Sequence, residues 1–207
     1  MILILGAPRT GSTLLYQIIV NHFDVWYPAN DGTFHKADDK PVSYDSYAGK
    51  TGAPYEPNEG SQILSRWFGE GKQVQRKTEM TTILDYHKPW VIKNIWNVWR
   101  VDEWVKYFPD VQFVWIRRNR HDAAESDKRT GVNGAYARFQ PGMYRDAYQQ
   151  NQHIDEIIAS ALLGHDFVQV WYEPLCEQTE WYIAILKRFL KAEYREREIP
   201  KLVAHVR

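Results

Sequence analysis

The sequence predicts an α/β domain with a central parallel sheet covered by helices on both faces, in three layers. Three observations carry this. Short apolar runs that read as buried strands alternate with stretches of helical periodicity. The first run leads directly into a glycine-rich turn and an apolar helix, in "LILGAPRTGSTLL" (residues 3–15). Basic residues stand at the ends of two later strands, at Lys93 and at Arg117–Arg118. Ligands of parallel sheets sit beyond such carboxyl ends.

The elements follow in order. Residues 1–5 are continuously apolar and read as a buried strand. Leu14, Leu15, Ile18 and Ile19 recur at helical spacing, so a helix is expected over Ser12–His22. Residues 28–60 show no periodicity and are rich in Pro, Gly, Asp and Tyr. A loop of that length within a domain is commonly functional or disordered; it reads as an acceptor or lid loop, or else as a solvent-exposed excursion or an oligomer contact. A short helix is expected over Ser61–Phe68. "WVIK" (90–93) reads as a strand, and "VWRVDEWVKYF" (98–108) as an amphipathic helix stopped by Pro109. "VQFVWI" (111–116) reads as the central strand. Helices are expected over Asp122–Arg129 and Ala135–Leu163, the second interrupted near Pro141–Gly142. "FVQVWY" (167–172) reads as a strand. "TEWYIAILKRFL" (179–190) reads as a closing helix with Trp181, Ile185, Leu186 and Phe189 on its apolar stripe.

A chain of 207 residues favours one domain over residues 1–207. Lys plus Arg, 26 in all, balance 26 Asp plus Glu. No global charge therefore points to nucleic acid, and any anion site must be local. The single cysteine, Cys176, excludes an intrachain disulfide and reads as a small core residue beside Leu175. No apolar run approaches the length of a membrane span. "MILILGAP" is short for a signal peptide and lacks a basic leader, so a cytoplasmic location is expected. The nine tryptophans are expected mostly in the core or at its rim, with a few lining an acceptor pocket.

"GAPRTGST" aligns with the phosphate-loop pattern G-x-x-x-x-G-K-[ST] through Gly6, Gly11 and Thr13. Ser12 stands where the lysine belongs, and Arg9 is the only cation in the turn. Backbone N–H groups and the helix N-terminus still favour an anion. No acidic residue ends a strand to hold magnesium, so no metal site is expected. Side-chain cations take that place. Taken alone, the segment could be no more than a tight strand-to-helix turn. Farther on, Arg118 follows a strand and Ser126 lies eight residues later on the next helix. That spacing can bring a guanidinium and a hydroxyl to one phosphate. Alone, it could equally be a basic surface turn.

Together the two segments resemble the sulfotransferase family, whose donor is 3′-phosphoadenosine 5′-phosphosulfate. The family's 5′-phosphosulfate loop, approximately [RK]-[ST]-G-[ST]-[ST], is similar to Arg9-Thr10-Gly11-Ser12-Thr13. Its 3′-phosphate segment matches at Phe108, Pro109, Asp110, Phe113, Arg118, Asn119, Asp122 and Ser126. "VWYEPLCEQTEWYIAILKRFL" resembles its late strand, turn and helix through Tyr172, Glu173 and Leu175. Lys93 matches a lysine that ends its middle strand. The resemblance spans about residues 2–190 and implies a P-loop nucleotide-hydrolase-like fold with metal-independent sulfuryl transfer. It implies donor binding by Pro8, Arg9, Thr10, Gly11, Ser12, Thr13, Arg118, Ser126 and Tyr172. Arg9 and Lys93 would stabilise the leaving phosphate oxygen.

The chain departs from the family in places. Arg120 replaces a proline, and His121 follows it. The histidine base of many soluble members falls at Ile95. The glycine-rich basic segment near the C-terminus is absent. Glycan-directed members place a carboxylate after a Tyr-Pro, and "WYPANDGTF" puts Asp31 there. Asp31 is the first candidate base, His35 the reserve and Glu79 the third. Each also has a plain reading: a turn residue, a loop histidine, or a surface ion-pair partner of Arg76 or Lys77. Tyr44, Tyr47 and Tyr55 would face an acceptor hydroxyl or amine on a small molecule or glycan. Two rival readings remain: an ATP-dependent P-loop phosphotransferase, and a degenerate member that binds nucleotide without turnover.

Overall fold

Alternation along the apolar runs is what divides the protein into layers. The computed structural model describes residues 1–28, 34–36, 89–93, 98–130 and 146–196. The strands are β1 (Ile2–Leu5), β2 (Trp26–Pro28), β3 (Phe34–Lys36), β4 (Val91–Lys93), β5 (Gln112–Arg117) and β6 (Phe167–Trp171). The helices are α1 (Ser12–His22), α2 (Val101–Tyr107), α3 (Arg120–Thr130), α4 (Ala147–Ala161), α5 (Tyr172–Glu177) and α6 (Thr179–Phe189). Among the described residues, four strands form one sheet in the order β4-β1-β5-β6, with every pair parallel.

Successive residues of a strand point to opposite faces. Ile2, Ile4, Val114 and Ile116 therefore join the core on the face covered by α1 and α6. Leu3, Leu5, Phe113 and Trp115 join the core on the other face, with Trp104 of α2 and Ile154 and Ile158 of α4. β1 and β4 are buried along almost their whole length because each face has its own layer of helices.

The topology fixes where a ligand fits. From β1 the chain passes through α1 to β4 on one side. From β5 it passes through α3 and α4 to β6 on the other. β1 and β5 are neighbours whose connections leave in opposite directions, so a crevice opens beyond their carboxyl ends. The loop after Leu5 and the corner after Arg117 meet there.

Several expectations shift in detail. Residues 28–60 are not wholly irregular, since Phe34–Lys36 pairs antiparallel with Trp26–Pro28. Three-residue strands are too short to show a period. The bridge between Trp26 and Trp90 sets β2 parallel beside the start of β4. The late strand ends at Trp171, and Tyr172 opens α5 instead, because pairing stops at Arg117 opposite Trp171. α3 begins two residues earlier than expected, at Arg120, because Asn119 caps it: its Oδ1 accepts the N–H of His121 at 2.9 Å. On α6 the buried stripe is Tyr182, Ile183 and Leu186. Trp181 lies outside it and is 55% exposed. The helix phase is set by Tyr182, whose hydroxyl accepts the Trp171 N–H at 3.2 Å. Trp90, Trp104 and Trp115 are buried, as expected, whereas Trp99, Trp171 and Trp181 are exposed. The helix expected over Ser61–Phe68 and the first part of that over Ala135–Leu163 lie outside the described residues.

Candidate functional site

The loop after β1 is built by its own backbone. Thr10 Oγ1 donates to the Ala7 carbonyl at 2.7 Å and closes the turn. Gly6 has no room for a side chain, because a Cβ there would meet Ile116 Cγ2 at 2.8 Å and the Ile116 carbonyl at 2.9 Å. Gly11 lies at φ 85°, in the left-handed region, and caps α1 without any side-chain hydrogen bond. The first turn of α1 carries no acidic residue. Among the described residues no N-cap side chain meets its leading N–H groups, and they form the positive end of an eleven-residue helix. Arg9 also has positive φ, at 64°. A non-glycine residue held there is strained by about 1–2 kcal/mol, and such strain concentrates where a side chain must be aimed.

Three cations gather about this loop and the crevice beside it. Arg9 reaches across the crevice, and its Nε and Nη2 donate to Ser126 Oγ on α3 at 3.2 and 3.1 Å. Lys93, ending β4, donates from Nζ to Thr13 Oγ1 at 2.8 Å. An ammonium is therefore present beside the first turn of α1, supplied by a neighbouring strand and not by position 12. Arg118 donates from Nη1 to the Arg9 carbonyl at 3.2 Å. Its guanidinium carbon lies 4.5 Å from the centre of the Tyr172 ring.

Tyr172 and Glu173 form the wall of the site on the β6 side. A Cβ on Gly11 would lie 2.1 Å from Tyr172 Cδ2, so the ring occupies the space beside the helix start. Burial pushes the Tyr172 hydroxyl above its ordinary pKa, and its hydrogen bond with Cys176 acts in the same direction. Cys176 is half-buried beside the fully buried Leu175, so it is a rim residue rather than a core one. Glu173 Oε1 accepts the Asn119 N–H at 3.2 Å and lies 3.7 Å from Arg118 Nε. Glu173 thereby ties the start of α5 to the start of α3.

Arg9, Ser12, Thr13, Lys93, Arg118, Ser126 and Tyr172 are brought together at the expected end of the sheet. Arg118 and Ser126 meet through Arg9, which contacts both. Thr10 gives its hydroxyl proton to the turn itself, and Pro8 is buried within it. His35 lies in β3, opposite Tyr27 in register. Asp31 and Glu79 lie outside the described residues, as do Tyr44, Tyr47 and Tyr55. A groove between α2 and α4, lined by Trp99 and His153 among others, includes none of the residues of this cluster.

The sequence reading missed a second tier of residues. Arg117 stacks over Trp115 and Trp171, 4.7 Å from each ring centre, and its Nη2 lies 3.3 Å from Asp155 Oδ2. Strand parity held the signal: Arg117 shares a face with Phe113 and Trp115, and an arginine on an apolar face needs a counter-ion. Nothing in the sequence selects Asp155 from the other acids.

The sequence profile of the Sulfotransferase family matches residues 2–196. The chain belongs to the sulfotransferase family. A sulfotransferase domain from the curacin biosynthetic pathway superposes with a TM-score of 0.61 at 15% identity, covering 98% of this chain and 76% of that one. The sulfotransferase domain of the Synechococcus PCC 7002 olefin synthase gives 0.54 at 16% identity, covering 98% and 78%. Sulfotransferase STF9 from Mycobacterium avium gives 0.52 at 15% identity, covering 91% and 62%. These likenesses establish a shared P-loop-like α/β fold. Curated protein sequences gave no significant match. No helix among the described residues is long and apolar enough to cross a membrane.

Proposed function

We propose that this sulfotransferase takes its sulfuryl group from 3′-phosphoadenosine 5′-phosphosulfate and passes it to a hydroxyl or amine of a small molecule or glycan. One observation carries the reading: the loop after β1 and the corner after β5 are joined through Arg9 and Ser126 at the crevice of the sheet. A ligand with anionic groups at both ends of a nucleoside suits such a paired site. The donor supplies an activated sulfuryl group on a phosphate leaving group.

The residues divide the work. The helix start at Gly11–Thr13, with Lys93, holds the 5′ end and stabilises negative charge on the oxygen released as the S–O bond breaks. Arg118 and Ser126 hold the 3′-phosphate by charge-assisted hydrogen bonds. Tyr172 packs against the helix start and limits the room beside it. The acceptor proton goes to a base as the new bond forms. β2 runs parallel to β4, so Pro28 faces the site's end of the sheet, and Asp31 follows three residues later. Asp31 is the first candidate for that base, His35 the second and Glu79 the third. Transfer needs no divalent metal, because Arg9, Lys93 and Arg118 supply the positive charge. Residues 28–60 are the segment assigned to contact with the acceptor.

The test is incubation with labelled donor, a mixed acceptor library and a chelator, followed by mass spectrometry. Label on an acceptor supports the reading. Binding of donor with no labelled product would assign the chain to a nucleotide-binding role, and phosphorylation of an acceptor in a parallel incubation with ATP and magnesium, without chelator, would assign it to phosphoryl transfer.

A further inference from the structure

Arg118 lies between two other arginines, Arg117 and Arg120, that look the other way. Arg117 ends β5 on the α4 face, clamped between the Trp115 and Trp171 rings. Arg120 opens α3, and its Nε lies 3.6 Å from Asp155 Oδ2. The same oxygen takes Arg117 Nη2 at 3.3 Å. Asp155 sits in the middle of α4, and its side chain is only 7% exposed. Burial pushes its carboxyl above the ordinary value, although Arg117 and Arg120 both pull it down. A buried carboxylate between two guanidinium groups is costly to form, and such pairings commonly fix one arrangement rather than add stability. Arg118 alone of the three turns to the crevice, toward the Arg9 carbonyl and Tyr172.

We infer that Asp155 is a positioning residue for the 3′-phosphate subsite: by holding Arg117 and Arg120 against α4, it fixes the strand-to-helix corner that aims Arg118 and carries Ser126. This rests on the donor reading above. Arg120 occupies the first helical position after the Asn119 cap, where proline is also accommodated. In this chain a guanidinium tether at that position does the job of a rigid ring.

Charge alone predicts the opposite effect. Asp155 adds negative potential to a cationic corner, so Asp155→Asn should strengthen anion binding if charge were its whole contribution. Calorimetric titration of the full chain with adenosine 3′,5′-bisphosphate and with AMP separates the two. Affinity for AMP reports the 5′ site, and the ratio reports the 3′ subsite. Positioning predicts that Asp155→Asn lowers the bisphosphate-to-AMP affinity ratio about tenfold, the equivalent of ~1.4 kcal/mol. Asp155→Glu, which keeps the charge and displaces the oxygens, lowers the ratio too, and it decides the matter should Asp155→Asn not fold. A ratio raised in Asp155→Asn, or unchanged in Asp155→Glu, overturns the inference. A wild-type ratio near one would instead overturn the donor reading itself.

Discussion

Arg9 and Ser126, 117 positions apart in the sequence, share two hydrogen bonds from one guanidinium to one hydroxyl, at 3.2 and 3.1 Å. This joins the loop of the first strand to the helix after the central strand. The contact depends on a backbone at φ 64° that a non-glycine residue adopts only under constraint.

Ser126→Ala should leave the fold intact, since Ser126 is only half-buried. Binding of adenosine 3′,5′-bisphosphate should weaken by about 1 kcal/mol while AMP binding is unchanged. Parallel titrations check this, and equal loss for both ligands would place Ser126 in the 5′ site.

The two arginines should separate kinetically. Arg118→Ala removes a contact made equally before and during transfer, so donor binding should fall by about 1.5–3 kcal/mol with turnover nearly retained. Arg9→Ala should lower turnover as well as donor binding, because Arg9 belongs to the loop of the 5′ helix start while its guanidinium reaches Ser126. Steady-state rates against donor concentration distinguish them, and intact donor affinity in Arg118→Ala would remove Arg118 from the site.

Gly11→Ala meets two obstacles, the left-handed backbone and the Tyr172 ring 2.1 Å from the new Cβ. The expected destabilisation is about 2–4 kcal/mol. For a domain of this size that is a fall in Tm of roughly 5–15 °C. Tyr172→Ala combined with Gly11→Ala should recover part of the loss. A thermal melt unchanged in the single variant would contradict both the backbone strain and the clash with the ring.

The outline of this fold was legible because its signals are local. β1, α1 and β5 have unbroken apolar runs or clean helical spacing, and Gly6 and Gly11 mark the turn between the first two. Lys93 and Arg118 were legible as strand-end cations. Less legible was everything decided between distant elements. The phase of α6 depends on one hydroxyl reaching Trp171, and Trp181 is as apolar as the residues that are buried. Asp155 looks like any other acid on a polar helix until Arg117 and Arg120 are brought beside it. The strand pair at Trp26–Pro28 and Phe34–Lys36 is too short for alternation to register.

The proton acceptor is set by comparison. Asp31→Asn keeps shape and removes basicity, so donor binding should stay near normal while turnover falls by about 10²–10⁴-fold. His35→Ala and Glu79→Gln, assayed with the same acceptor, should remain active. Full activity in Asp31→Asn with collapse in either of the others would transfer the role to that residue.

The central claim is that one ligand fills both anion sites. Its most direct test is the thermal melt of the full chain in a chelator with adenosine 3′,5′-bisphosphate, AMP or ATP at equal concentration. A ligand present at about 100 times its Kd stabilises the fold by ~2.7 kcal/mol, so differences in affinity appear as differences in Tm. The account predicts the largest rise for the bisphosphate, with no metal added. Equal rises for the bisphosphate and AMP, or a rise for ATP as large as that for the bisphosphate, would contradict it.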